Sequence, residues 1–158
     1  MKNKQWIRPK VIISKCLEFD ACRYNGEKIN DKIIKKLIDY IDFIPVCPEV
    51  EIGLGIPRET IRLINQNEKI HLIEPTTANN YTDKMNEFSD RFLRKNYKID
   101  GFILKSRSPS CGVFDVKVYE SKENSSIHFM DSGLFASSIK RKYPNLPIEE
   151  EGVYPLNW

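Results

Sequence analysis

Three short runs of β-branched and aromatic residues in this chain lead into a cysteine. They are Val11-Ile12-Ile13-Ser14-Lys15-Cys16-Leu17, Phe43-Ile44-Pro45-Val46-Cys47-Pro48, and Phe102-Ile103-Leu104-Lys105-Ser106, which continues through Arg107-Ser108-Pro109-Ser110 to Cys111-Gly112. Runs this short and apolar read as buried strands. Helical patterns alternate with them. Residues 30–41 place Ile33, Ile34, Leu37, Ile38 and Ile41 at helical spacing, with Asn30 or Asp31 as N-cap. Residues 79–98 form the longest helix, with Met85, Phe88, Phe92 and Leu93 on one face and Thr82 as cap. Residues 133–143 form the last. A strand pair at 61–64 and 69–73 surrounds the turn at 65–67, a further strand covers 116–119, and loops hold Gly53, Gly55, Pro57 and residues 120–126. The tail from Pro147 ends in an extended segment.

Such alternation predicts an α/β fold, a single compact domain with a mostly parallel sheet flanked by helices. In that class ligands bind in the crevice beyond the carboxyl ends of the strands. A thiol that only fills the core has no reason to favour strand ends. Cys16, Cys47 and Cys111 are therefore expected to converge on one site.

The length of 158 residues suits one domain over 1–158. Hydrophobic residues at 41% and charged residues at 30% describe a globular chain rather than a disordered one. The net charge is only +3, and the basic clusters Lys35-Lys36, Arg94-Lys95 and Lys140-Arg141-Lys142 are scattered, which argues against a nucleic-acid surface. No apolar run approaches the roughly 20 residues of a membrane span. No apolar segment follows Met1-Lys2-Asn3-Lys4-Gln5, so a cytoplasmic location is expected. A chain this size in a reducing compartment uses its four cysteines as core residues, ligands or catalysts rather than disulfides.

Three thiolates are one short of a closed zinc or iron–sulfur site and leave one coordination position open unless Cys22 fills it. The absence of any C-x-x-C pair argues against a zinc ribbon, a ferredoxin run and thioredoxin chemistry. His71 and His128 lie in strand-like segments away from the cysteine loops and read as structural. Glu49 and Glu51 follow Cys47 closely, and a carboxylate beside a buried charged site is a candidate general base. Ser106, Ser108 and Ser110 precede Cys111. Gly53, Gly55 and Gly112 permit close backbone approach. Arg23, Arg58 and Arg62 are candidates to orient carboxylates or a planar ligand.

Five segments together carry a resemblance: Ser14-Lys-Cys-Leu, Cys22-Arg-Tyr-Asn-Gly, Val46-Cys-Pro-Glu-Val-Glu-Ile-Gly-Leu-Gly-Ile-Pro-Arg, Asp100-Gly-Phe-Ile-Leu-Lys-Ser-Arg-Ser-Pro-Ser-Cys-Gly and Leu146-Pro-Ile-Glu-Glu-Glu-Gly. In this order, over about residues 10–152, the chain resembles the thiouracil desulfidase family, formerly a domain of unknown function. The resemblance implies a 4Fe-4S cluster held by Cys16, Cys47 and Cys111, with one open iron for the exocyclic sulfur of a small thiolated pyrimidine. It implies Glu49 as base or proton relay with Glu51 second, and Ser108 orienting substrate or water with Ser110 second. Arg23, Tyr24, Glu51 and Ser110 then belong to substrate binding. Cys22 stands where many members carry another residue; as a fourth ligand it would close the site and favour a non-catalytic sensor or sulfur carrier. Relatives with these motifs often continue into a helical domain beyond the position of Trp158.

Overall fold

The computed structural model describes residues 6–95, 98–123 and 125–152. The basic start at residues 1–5, the end of the expected long helix at 96–97, Asn124 of the polar loop and the tail 153–158 lie outside them. In chain order the elements are β1 (Lys10–Ser14), α1 (Lys32–Leu37), β2 (Asp42–Val46), α2 (Pro48–Glu51), β3 (Arg62–Gln66), β4 (Lys69–Ile73), α3 (Thr82–Arg94), β5 (Gly101–Leu104), β6 (Val116–Tyr119), β7 (Ile127–Asp131), α4 (Leu134–Lys142) and β8 (Ile148–Glu150).

The α/β expectation holds, with the strands divided between two sheets. The first has the order β2-β1-β5-β8 and is parallel throughout, with Val11 opposite both Phe43 and Gly101. The second has the order β4-β3-β6-β7; its β3–β6 ladder is parallel, and two antiparallel pairings flank it. The chain runs from β1 to β2 on one side and returns as β5 on the other. Such a reversal opens a crevice at the carboxyl edge of the sheet.

Alternation along β1 sends side chains to opposite faces. Ile12, with Phe102 and Leu104 of β5, enters the main core, which also takes Leu63, Leu72, Val116 and Val118 of the second sheet. Val11, Ile13 and Ile103 face a smaller cluster with Leu17 and Ile34, and this cluster includes Cys16 and Cys22. Each fully buried aliphatic or aromatic side chain contributes about 1.5–3 kcal/mol. Pro45 is tolerated because β2 is an edge strand, where a missing N–H disrupts no ladder.

Asp31 caps α1, accepting from the backbone N–H groups of Ile33 and Ile34. The helix is shorter than its periodicity suggests, and Ile33 and Ile38 stay exposed. The long helix begins at Thr82, which does not cap it. Tyr81 holds the N-cap without a side-chain bond, while Thr82 Oγ1 accepts from Leu72 N at 2.9 Å and ties α3 to β4. Met85, Phe88 and Leu93 form its buried face, and Phe92 packs against the core beside them. Between the second strand run and the loop of Gly53 and Gly55, residues 48–51 form the short helix α2, which the sequence pattern does not signal.

Candidate active site

The ends of β1, β2 and β5 are tied together just where the cysteines follow. Lys15 N donates to Val46 O at 2.8 Å, and Lys105 N donates to Ser14 Oγ at 2.9 Å. Cys16 sits in the turn after β1, closed by Leu17 N donating to Ser14 O. Cys47 is the N-cap of α2 with Pro48 behind it, a position where proline's missing N–H costs nothing.

Cys111 lies on a longer loop that needs more anchors. Ser108 Oγ accepts from Ser110 N and Cys111 N, and Gly112 N donates to Ser108 O. The first turn of α4 then docks on the loop. Leu134 N donates to Pro109 O, while Phe135 N and Ala136 N both donate to Ser110 O, so carbonyls of the cysteine loop satisfy the helix's otherwise orphaned donors. Gly133 makes this approach possible. A Cβ there would stand 2.5 Å from Ser110 C and O. Two consecutive acids clamp the loop's shoulders: Glu150 accepts from Val113 N, and Glu151 accepts from Ser106 N, Ser106 Oγ and Lys105 Nζ. No local signal in the sequence shows that Glu150 and Glu151 reach back to the Cys111 loop.

Cys16, Cys47 and Cys111 line one cavity of about 340 Å³, within the size range of small-ligand pockets. Cys22, Arg23, Tyr24, Glu49 and Ser108 also line it. Glu51 and Ser110 do not. The helical turn of α2 separates Glu49 from Glu51, because residues two apart on a helix face different ways; Glu49 turns inward and Glu51 is exposed. Ser110 is fully buried behind Glu49 and donates to its Oε1 at 3.0 Å.

Arg58 completes the support of Glu49. Its Nε and terminal nitrogen lie 2.9 and 2.7 Å from Glu49 Oε2, and the two side chains are only 7% and 12% exposed. The same guanidinium donates to Cys22 O and Gly55 O. Arg23 pairs loosely with Glu27 at 3.6 Å, and Tyr24, about two-fifths exposed, stands at the mouth. Arg62 stacks over Tyr119 and does not line the cavity. His71 contacts Asn80, His128 lies beside Glu120, and neither reaches the cavity.

The cysteines do not act independently. The Cys47 thiol donates to Cys22 O at 3.8 Å, and all four cysteines line the cavity together. Hydrogen bonding to Cys16 and burial push the Cys22 thiol up to about 11. The bond to Cys22, then burial, raises Cys47, and burial raises Cys111 despite hydroxyl donation from Ser14 and Ser108. The folded metal-free protein thus binds these protons more tightly than the unfolded chain does. That contribution to stability is complete below about pH 8.5, the ordinary thiol value, and is lost as pH rises through the folded value of Cys22. Denaturant titrations of metal-free protein should show stability falling between about pH 9 and 11, by up to about 1.4 kcal/mol per pH unit for each thiol. Cys22→Ser should lessen that slope; an unchanged slope would refute the assignment.

By chemistry the donors are of the kind that bind iron–sulfur clusters: three soft thiols from separate loops on one cavity. Among the described residues no three His, Cys, Asp or Glu side chains are grouped closely enough to hold a single metal ion, so loading would need the loops to draw the thiols together. Five basic side chains, Lys15, Arg23, Arg58, Lys105 and Arg107, line the cavity against the single carboxylate of Glu49. That excess of positive charge suits a site where thiols must give up protons to bind metal.

Fold and site together define an α/β protein with a thiol-lined small-molecule cavity at the carboxyl edge of a parallel sheet. The family model described as 2-thiouracil desulfurase matches residues 11–151, and the chain belongs to that family. It is 31% identical over 109 residues to YbbK of Bacillus subtilis (strain 168), covering 65% of this chain and 72% of that protein. It shares its fold with a solved structure titled as the [4Fe-4S]-dependent thiouracil desulfidase TudS, with a TM-score of 0.68, 23% identity and 91% of each chain covered. No helix among the described residues is long and apolar enough to cross a membrane.

Proposed function

We propose that this chain is a single-domain, cytoplasmic desulfidase that replaces the exocyclic sulfur of a small thiolated pyrimidine by oxygen. The observation that carries the reading is the meeting of Cys16, Cys47 and Cys111 with Glu49 on one cavity. The overall change balances without an oxidant or reductant: thiouracil and water give uracil and hydrogen sulfide. Cys16, Cys47 and Cys111 would hold a 4Fe-4S cluster, which would supply soft Lewis-acid chemistry toward sulfur. Glu49 takes a proton from the attacking water at the carboxylate oxygens that Arg58 and Ser110 orient. Ser108 holds the Cys111 loop and presents its hydroxyl at the cavity wall to orient the substrate. Arg23 and Tyr24 bind the substrate's outer edge at the mouth. Glu51 and Ser110 support the site from outside the cavity wall, as an exposed residue of α2 and as the donor behind Glu49.

Cys22 is not assigned as a ligand. Three thiols leave one metal position open for the departing sulfur, and Cys22, which also lines the cavity, would close it. Anaerobic reconstitution followed by iron and sulfide quantification and a thiouracil assay tests the reading. Wild type and Cys22→Ser should hold about four irons per chain, and Cys16→Ser, Cys47→Ser and Cys111→Ser should lose the cluster. Glu49→Gln should keep it and lose turnover by about 10²–10⁴-fold. Stoichiometric zinc with no capacity for iron would overturn the desulfidase. A cluster that needs Cys22 would instead favour the non-catalytic sensor or sulfur carrier.

A further inference from the structure

Beside the thiol cavity lies a second one, of about 580 Å³, that the proposed chemistry does not use. Arg107 and Pro109 line both, so the two cavities are neighbours divided by the start of the Cys111 loop. Buried Leu63 and Val116 belong to the apolar lining of the second cavity. Its charged lining is Arg62, Arg107 and Lys117 against the single carboxylate of Asp115. Each cavity also holds an arginine over a tyrosine. The guanidinium carbon of Arg23 lies 5.8 Å from the ring centroid of Tyr24, and that of Arg62 lies 4.2 Å from that of Tyr119. Arg107, on the shared wall, has a left-handed backbone at φ 59°, and its side chain, 82% exposed, pairs loosely with Asp115 at 3.6 Å. Strained backbone of this kind concentrates at ligand sites. Scattered along the chain, these cations converge in space. Positive charge interleaved with aromatic and guanidinium faces suits single-stranded nucleic acid, in which every base offers a face to stack and every linkage a charge.

We propose that the two cavities bind consecutive nucleotides of a single RNA strand, so that the substrate is a thiolated pyrimidine residue within that strand. The reacting base enters the thiol cavity past Tyr24. Its neighbour stacks on the Arg62–Tyr119 pair in the second cavity. The phosphodiester that joins them crosses the shared wall, where Arg107 exchanges its loose pair with Asp115 for the phosphate. Lys117 takes the next phosphate. A duplex is excluded, because a stacked and paired base cannot reach either cavity.

The inference rests on the desulfidase reading for what the first cavity holds, but binding is measured without the cluster. The metal-free chain is titrated into fluorescently labelled tetrauridylate, with uridine monophosphate, inorganic phosphate and an RNA duplex as competitors, and anisotropy is followed over a range of salt. The strand should bind about tenfold or more tightly than the monophosphate, since it stacks a second base. Arg62→Met should weaken it by about 5–150-fold through loss of the stacking face. Arg107→Met and Lys117→Met should each lower the slope of log K against log salt by about 0.7, the value of one phosphate contact on a single strand. Lys117 is exposed, so its variant should fold even if that of Arg62 does not. Equal affinity for strand and monophosphate, a duplex that competes as well as the strand, or unchanged salt slopes in both variants would overturn the proposal. After reconstitution, turnover of free thiouracil by a protein that binds no tetrauridylate would sink this inference alone. Strand binding without turnover of any thiolated pyrimidine would sink the desulfidase alone.

Discussion

Arg58→Met should destabilise the metal-free protein by about 3–5 kcal/mol, lowering its melting temperature by about 10 °C. The variant keeps much of the side chain's volume and removes its charge. Glu49 would then be buried with only the Ser110 hydroxyl as side-chain partner, the Gly55 carbonyl would lose the Arg58 donor, and the Cys22 carbonyl would keep only the weak Cys47 thiol. Removing one member of a buried ion pair costs more than removing both, because the remaining charge is left without compensation. The double variant Arg58→Met/Glu49→Leu should therefore recover a large part of the stability. Denaturant unfolding of both proteins checks this; a loss below about 1 kcal/mol for the single variant would show that the pair is no more than a surface contact. Arg58→Lys tests geometry separately. Lysine retains charge but not the planar fork that reaches Glu49, Cys22 O and Gly55 O together, so it should recover only part of the loss.

The second large effect is expected at Gly133. Its backbone, with φ −62° and ψ 158°, is open to any residue, so the requirement for glycine is one of space. An added methyl would stand 2.5 Å from Ser110 C and O and 2.8 Å from Pro109 O, all backbone atoms that no rotamer change can move aside. Gly133→Ala must push α4 off the cysteine loop and break the bonds from Leu134, Phe135 and Ala136 to that loop. A loss of about 3 kcal/mol is expected, together with displacement of Cys111 and loss of iron uptake. Gly55→Ala is the control. Its Cβ would meet only Pro57 O, at an ordinary 3.7 Å, and stability should change by less than about 0.5 kcal/mol. Similar denaturation midpoints for both variants would remove Gly133 from the architecture of the site.

The features legible in the chain alone have local causes. The β-branched runs, the helical spacing of the α3 apolar face and the cap at Asp31 depend on neighbours a few residues away, and all appear in the fold. The three cysteines at strand ends were legible for the same reason, since a parallel sheet delivers its carboxyl ends to one edge. Tertiary structure decided what depends on distance and direction. The strands part into two sheets because the antiparallel pairings of β3 with β4 and β6 with β7 complete a second layer around the β3–β6 ladder. Glu49 and Glu51 were equivalent as letters until α2 turned one inward toward Arg58 and left the other in solvent. Thr82 looked like a cap but is held by β4 instead. Glu150, Glu151 and Gly133 shape the Cys111 loop from outside its own segment, through bonds and close contacts that no periodicity encodes. Cys22 meets the Cys47 thiol and Arg58 through its carbonyl because two separate loops fold against each other.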